Sequence, residues 1–200
     1  MTPSIQFETE EADHLSRVAN FRQALTVEPD GEQIVRQHIL HGSAVAISNA
    51  QEYALKKSVS SQFSVDPNQD VFVVGSAKLG FSIAPHKRFN AFNDRSDIDV
   101  AIVSHDLYFR VWHEVHQYSL QGADWPEQEK FKGYLAWGWI RPDLLPRSKQ
   151  FQFSNSWFEF FRSLQQERVA GPFKVAAALY HDISFLIKYQ HSAVEKCREE

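Results

Sequence analysis

Asp97 and Asp99 flank Ile98 at the start of the apolar run Ile98–Val103. In a strand, side chains two residues apart share a face, so this spacing projects both carboxylates together from one edge of a sheet. Two like charges held so close repel and resist desolvation unless a cation sits between them. Oxygen-only ligation suits Mg²⁺ or Mn²⁺, which also take phosphate oxygens from a substrate. Upstream, Val71–Val74 is a run of β-branched and aromatic residues that reads as a buried strand. Gly75 then lets the chain turn and the backbone approach a ligand closely. Ser76 offers a hydroxyl and an N–H at a predicted helix start, a suitable place to receive phosphate.

Gly75-Ser76, followed by the pair Asp97 and Asp99 inside a second apolar run, resembles the nucleotidyltransferase superfamily of the DNA polymerase β type. In that superfamily the Gly-Ser holds a triphosphate and the acids bind the metals. Residues 77–96 separate the two halves, and Gly80 supplies a second glycine. This long gap is similar to the oligoadenylate-synthase and bacterial cyclic-nucleotide-synthase branches. The chain departs from them at Phe81, where they carry Thr, and in having a smaller helical lobe.

The resemblance implies a metal-dependent enzyme that moves NMP from an NTP to a hydroxyl acceptor and releases pyrophosphate. Acceptors in the superfamily include nucleotides, RNA ends, protein side chains and small molecules. It also implies a third acid on a later strand, a ligand of the catalytic metal. Asp143 is the first choice, ahead of Asp106 and Asp124, against the alternative that it starts a turn. Lys188 on the last helix is expected to reach the triphosphate, as lysines of the helical lobe do in related enzymes. Lys78 is expected to neutralise phosphate or to lie solvated on its helix, and the same choice applies to Lys87, Arg88 and Arg95. Without a converging third acid, the alternative is a catalytically degenerate relative. It would bind nucleotide or a partner protein, as half of a toxin–antitoxin or defence pair.

Other residue types offer less. His38 and His41, like His113 and His116, stand three apart and would share a helical face, but no third metal ligand follows at recognisable spacing. Tyr134, Trp137 and Trp139 would stack a base or pack a core strand. No serine-histidine-acid or cysteine nucleophile arrangement stands out. A single cysteine, Cys197, excludes an internal disulfide and a cysteine-rich zinc site. A net charge of −4 argues against a protein that wraps nucleic acid by bulk electrostatics. Met1–Glu11 is polar and acidic, so no signal peptide is expected, nor any spanning segment, which predicts a cytoplasmic protein.

The elements that must position these residues follow from periodicity. Helices are predicted over Ala12–Leu25, Glu32–Leu40 and Ala44–Phe63, the last with Tyr53, Leu55, Val59 and Phe63 buried. A short helix over Lys78–Ser82 and a polar loop over Ala84–Ser96 come next. After the strand Ile98–Val103, a helix is predicted over Leu107–Leu120 and a third strand over Phe131–Ile140. Two helices, Ser156–Gln166 and Pro172–Lys196, close the chain. With 16 Phe, 5 Trp and 6 Tyr, aromatic packing should dominate the core. The expected fold is α+β: a polymerase β-like core, a small mixed sheet flanked by helices, with N- and C-terminal helical extensions. All 200 residues form one domain, with N-terminal helices over 1–65, the sheet core over 66–146 and C-terminal helices over 147–200. The aromatic inventory leaves room for an oligomer or partner surface.

Overall fold

The computed structural model describes residues 3–198, and side chains from Glu11 to Arg198; Met1, Thr2, Glu199 and Glu200 lie outside the described residues. The fold is α+β, with helices on both faces of a four-stranded mixed sheet. The N-terminal helix α1 (Pro3–Val27) leads into α2 (Gly31–Ile34), which continues as a π-helix over Val35–Leu40. Then come α3 (Asn49–Phe63), β1 (Val71–Val74), α4 (Gly75–Leu79), β2 (Ile98–Val103) and α5 (His105–Leu120). The chain ends through α6 (Gln128–Ala136), β3 (Trp139–Ile140), α7 (Gln152–Gln166), β4 (Val175–Tyr180) and α8 (Ile183–Arg198). Among the described residues, no helix is long and apolar enough to cross a membrane.

Strand order is β1-β2-β4-β3. β2 pairs antiparallel with β1 and parallel with β4, and β3 pairs antiparallel with β4. The register sets Val74 and Ala176 on either side of Asp99, so these three share a face, and Ala101, Ala178, Val103 and Tyr180 continue it. That face packs against α1, α2 and α8 through Phe21, Val35, Leu186 and Ile187. The opposite face, with Val71, Val73, Ile98 and Val100, packs against α3, α5 and α7. There Trp157 is fully buried, its ring 4.8 Å from Phe63 and 5.0 Å from Phe161. The abundant aromatic residues therefore do build the core.

Several expected elements differ. The short helix expected over Lys78–Ser82 is α4, Gly75–Leu79, which ends at Gly80. Phe131–Ile140 is not one strand: its first part belongs to helix α6, and only Trp139 and Ile140 pair in the sheet. Pro172–Lys196 is not one helix. It opens with β4, which brings sheet residues from outside the expected core of 66–146. The segment VAAALY carries no charged residue, and such an unbroken apolar run cannot be distinguished from a helix by periodicity. Residues 44–48 precede α3 as non-helical, bent chain, where Val45 and Ala46 N–H groups donate to the Lys78 and Ala77 carbonyls (3.2 and 3.0 Å). Ser48 starts α3 with a capping box to Gln51, which stops the helix from extending backwards. Tyr53, expected in the core, is exposed.

The stretch after α4 is ordered. Ser82 N–H donates to Asn90 (2.9 Å), Phe89 N–H to Ser82 (2.7 Å) and Phe92 N–H to Gly80 (2.9 Å), closing a hairpin around the turn Pro85–Lys87. Phe81 anchors it, 1% exposed, with its ring 5.5 Å from Phe21 and 5.9 Å from Phe89. Phe81, where the branches that the chain resembles in motif spacing carry Thr, thus has a packing role.

Candidate nucleotide and metal cleft

β1 ends at Val74, and Gly75 turns the chain into α4 with φ +65°, the left-handed region that costs a side-chain-bearing residue. A Cβ placed on Gly75 would lie 2.7 Å from Asp99 Oδ2. The glycine thus admits the Asp99 carboxylate against the β1–α4 turn. Asp97 and Asp99 face the same cleft, as their spacing requires, and Gly75 and Ser76 line it with them. The cleft measures about 840 Å³, within the size range of small-molecule and cofactor sites. Its other walls are the 81–91 hairpin, the Arg141–Asp143 turn and α8.

Asp99 is accessible from the cleft, yet protein crowds it on the remaining sides. This crowding first, and the neighbouring Asp97 second, push its carboxyl up to about 6 against the pull of Lys174 and Lys87. Asp97 pairs with Lys174, whose Nζ lies 3.1 Å from Oδ2. Backbone geometry explains this partner: Ile98 N–H donates to the Lys174 carbonyl (2.8 Å), stitching the start of β2 to the start of β4. Lys87 and Arg95 add cationic side chains to the rim.

Asp143 lines the cleft but does not join the other two acids. Among the described residues, no group of three or more His, Cys, Asp or Glu could hold a metal ion. The Asp143 carboxylate instead accepts two hydrogen bonds from Arg141, from Nε (3.1 Å) and Nη2 (2.7 Å). Arg141 also donates to Tyr134 Oη (3.3 Å) and lies over the Tyr134 ring at 5.1 Å. These hydrogen bonds outweigh burial and raise the Arg141 pKa. The β4 residue beside Asp99, where a third carboxylate would converge, is Ala176.

Two expected phosphate ligands point elsewhere. Lys78 follows Ser76 by two residues, roughly 200° around the helix, so it turns away from the cleft. It is 5% exposed and donates to the Gly42 carbonyl. Burial lowers its pKa, opposed by Glu52. Lys188 stands two residues before Gln190, and the same rotation leaves it on the exposed side of α8 while Gln190 faces the cleft. Among the described residues, neither histidine pair belongs to a group of three metal-ligating side chains. His38 packs edge-on to Phe21 at 5.7 Å, and His116 stacks on Trp112 at 5.7 Å.

Sequence reasoning missed Lys174, Tyr180, Tyr189 and Gln190, because they depend on β4 being a strand and on the face α8 presents. Trp139, weighed as a stacking residue, does line the cleft, whereas Trp137 is exposed outside it. Its ring lies parallel to Tyr180 at 5.7 Å and 4.4 Å from Tyr189. Burial, then Tyr189 and Asp99, push the Tyr180 phenol well above its ordinary pKa. Two carboxylates, a close-approach glycine and a rim of cations can together hold a metal-bound polyphosphate. No family model, no curated protein and no solved structure matches the chain.

Proposed function

We propose that this chain binds a nucleoside triphosphate with Mg²⁺ or Mn²⁺ in the cleft and transfers its nucleoside monophosphate to a hydroxyl acceptor. On this reading the fold is a polymerase β-like nucleotidyltransferase core. The observation that carries the reading is the convergence of Asp97 and Asp99 with Gly75 and Ser76 in one cleft, Asp99 lying against the glycine.

The residues fit the metal. The donor set is two carboxylates without nitrogen or sulfur, and the crowding that raises the Asp99 pKa is relieved by a cation. Mg²⁺ held there would neutralise triphosphate oxygens and the charge that develops on the departing pyrophosphate. Lys87, Arg95 and Lys174 supply the remaining positive charge, and the Ser76 hydroxyl is a hydrogen-bond donor to phosphate oxygen. Protein incubated with labelled NTPs and Mg²⁺ should release pyrophosphate, and Asp97→Ala or Asp99→Ala should reduce release by about 100-fold or more. Silence of the wild type with every NTP, in Mg²⁺ and Mn²⁺, overturns the transferase reading.

A second reading rests on Ala176 beside Asp99 and on the engagement of Asp143 by Arg141. With no third carboxylate converging, the chain is a degenerate nucleotidyltransferase-fold protein, a nucleotide-binding or regulatory partner in a toxin–antitoxin or defence system. Tight NTP binding without pyrophosphate release favours it.

A further inference from the structure

We propose that the end of the cleft walled by Trp139, Tyr180, Tyr189 and Gln190 is a nucleobase pocket in which the Gln190 carboxamide reads the edge of adenine. The assignment rests on the reading of the cleft as a nucleoside triphosphate site and names the base it takes.

Gln190 is 6% exposed and Tyr180 is 3% exposed, and both line the cleft. Among the described residues, the buried Trp139 Nε1 has no hydrogen-bond partner, and the Gln190 carboxamide and Tyr180 hydroxyl, open to the cleft, bond to no other protein group. A buried indole N–H is nearly always satisfied, so Trp139 Nε1, beside two polar groups that face the cleft without a protein partner, suits a ligand that engages all three.

The shape specifies a flat ligand. Trp139 and Tyr180 form a parallel aromatic wall, with planes 6° apart, and Tyr189 leans against Trp139. Beside it, Ala176 and Ala178 share the Asp99 face of the sheet, and side chains this small leave the space in front of the wall open. The pocket continues directly from the carboxylates, since Ala176 pairs with Asp99 and Tyr180 lies four residues further along the same strand.

The polar groups favour adenine over guanine. A glutamine carboxamide offers a donor and an acceptor side by side, the complement of the adenine N6/N7 edge. Guanine would call for a guanidinium or a carboxylate. Arg141 and Asp143, which stand at this wall, are engaged with each other.

The test is calorimetric titration of wild type, Gln190→Leu, Gln190→Glu and Asp99→Ala. The probes are ATP, GTP, CTP, UTP, adenosine and inorganic tripolyphosphate, with Mg²⁺. Wild type should bind ATP most tightly. Gln190→Leu should weaken ATP about tenfold and leave tripolyphosphate unchanged. The near-isosteric Gln190→Glu, which removes both donors, should do the same should the leucine variant fold poorly. Adenosine should bind wild type and Asp99→Ala equally. Adenosine binding that depends on Gln190, with no tripolyphosphate binding, upholds the base pocket and overturns the triphosphate site. Equal binding of the four NTPs, or ATP binding untouched by both Gln190 variants, overturns the base pocket and leaves the triphosphate site standing. Failure of every probe overturns both.

Discussion

Gly75 and Asp99 occupy one another's space: the position a Gly75 Cβ would take is 2.7 Å from Asp99 Oδ2. The left-handed turn that ends β1 and the carboxylate that floors the cleft are therefore one structural unit. A side chain added at Gly75 would have to displace that carboxylate.

Gly75→Ala should accordingly cost about 1–3 kcal/mol of stability, from the positive φ and the displaced carboxylate. Nucleotide binding in Mg²⁺ should fall with it. A denaturant midpoint equal to that of wild type, with full binding, would contradict the coupling.

Asp99→Asn should stabilise the metal-free protein, in a pH-dependent way. The native Asp99 pKa of about 6 exceeds the ordinary value of 3.8, so the folded state holds this proton more tightly than the unfolded chain. That stabilisation is complete below pH 3.8 and is lost as pH rises through about 6. At pH 7 the wild type carries the cost and the asparagine variant does not. Because water reaches the carboxylate from the cleft, the difference should be about 1 kcal/mol rather than the full linkage value. Thermal melts without metal should show the variant gaining over wild type as pH rises from 4 to 7.5, and Mg²⁺ should close the gap by stabilising only the wild type.

Lys174→Met and Lys78→Met should separate two lysines that the primary structure treats alike. Lys174 reaches the cleft carboxylates, so its loss should weaken NTP binding about fivefold or more and flatten its salt dependence. Lys78 is buried beneath α4 on the Gly42 carbonyl, so its loss should leave NTP affinity unchanged and shift stability by about 1–2 kcal/mol. Equal affinities for the two variants would contradict this separation.

Ala176→Asp should place a third carboxylate beside Asp99. Crowding three acids should lower the metal-free melting temperature at pH 7.5, and Mg²⁺ should restore it by a larger increment than in wild type. Should the wild type prove silent in pyrophosphate release, a gain of release in this variant would identify the missing ligand as the reason. A variant with wild-type melting and no added response to Mg²⁺ would place residue 176 away from the metal.

The primary structure was sufficient where the decisive interaction is local. Val71–Val74 and Ile98–Val103 are strands because β-branched residues dominate them, and period-two geometry alone puts Asp97 and Asp99 on one face. Gly75 follows from the need for a turn at that point. What remained hidden depends on residues distant in the chain. The alanine-rich Val175–Tyr180 pairs as a strand because β2 and β3 flank it, and helix propensity gives no warning of that. Arg141 captures Asp143, which its position after a predicted strand could not reveal. Lys78, Lys188 and Gln190 differ only in which side of a helix meets the cleft, and that rotation is set by the buried residues around them. Two acids and a glycine were thus determined by chain chemistry, because spacing within a strand dictates direction. The Lys174 ion pair, the aromatic wall and the carboxamide were decided by tertiary packing, because only the docked helices and the completed sheet bring residues 139, 180 and 190 to the same cleft and set Lys174 on Asp97.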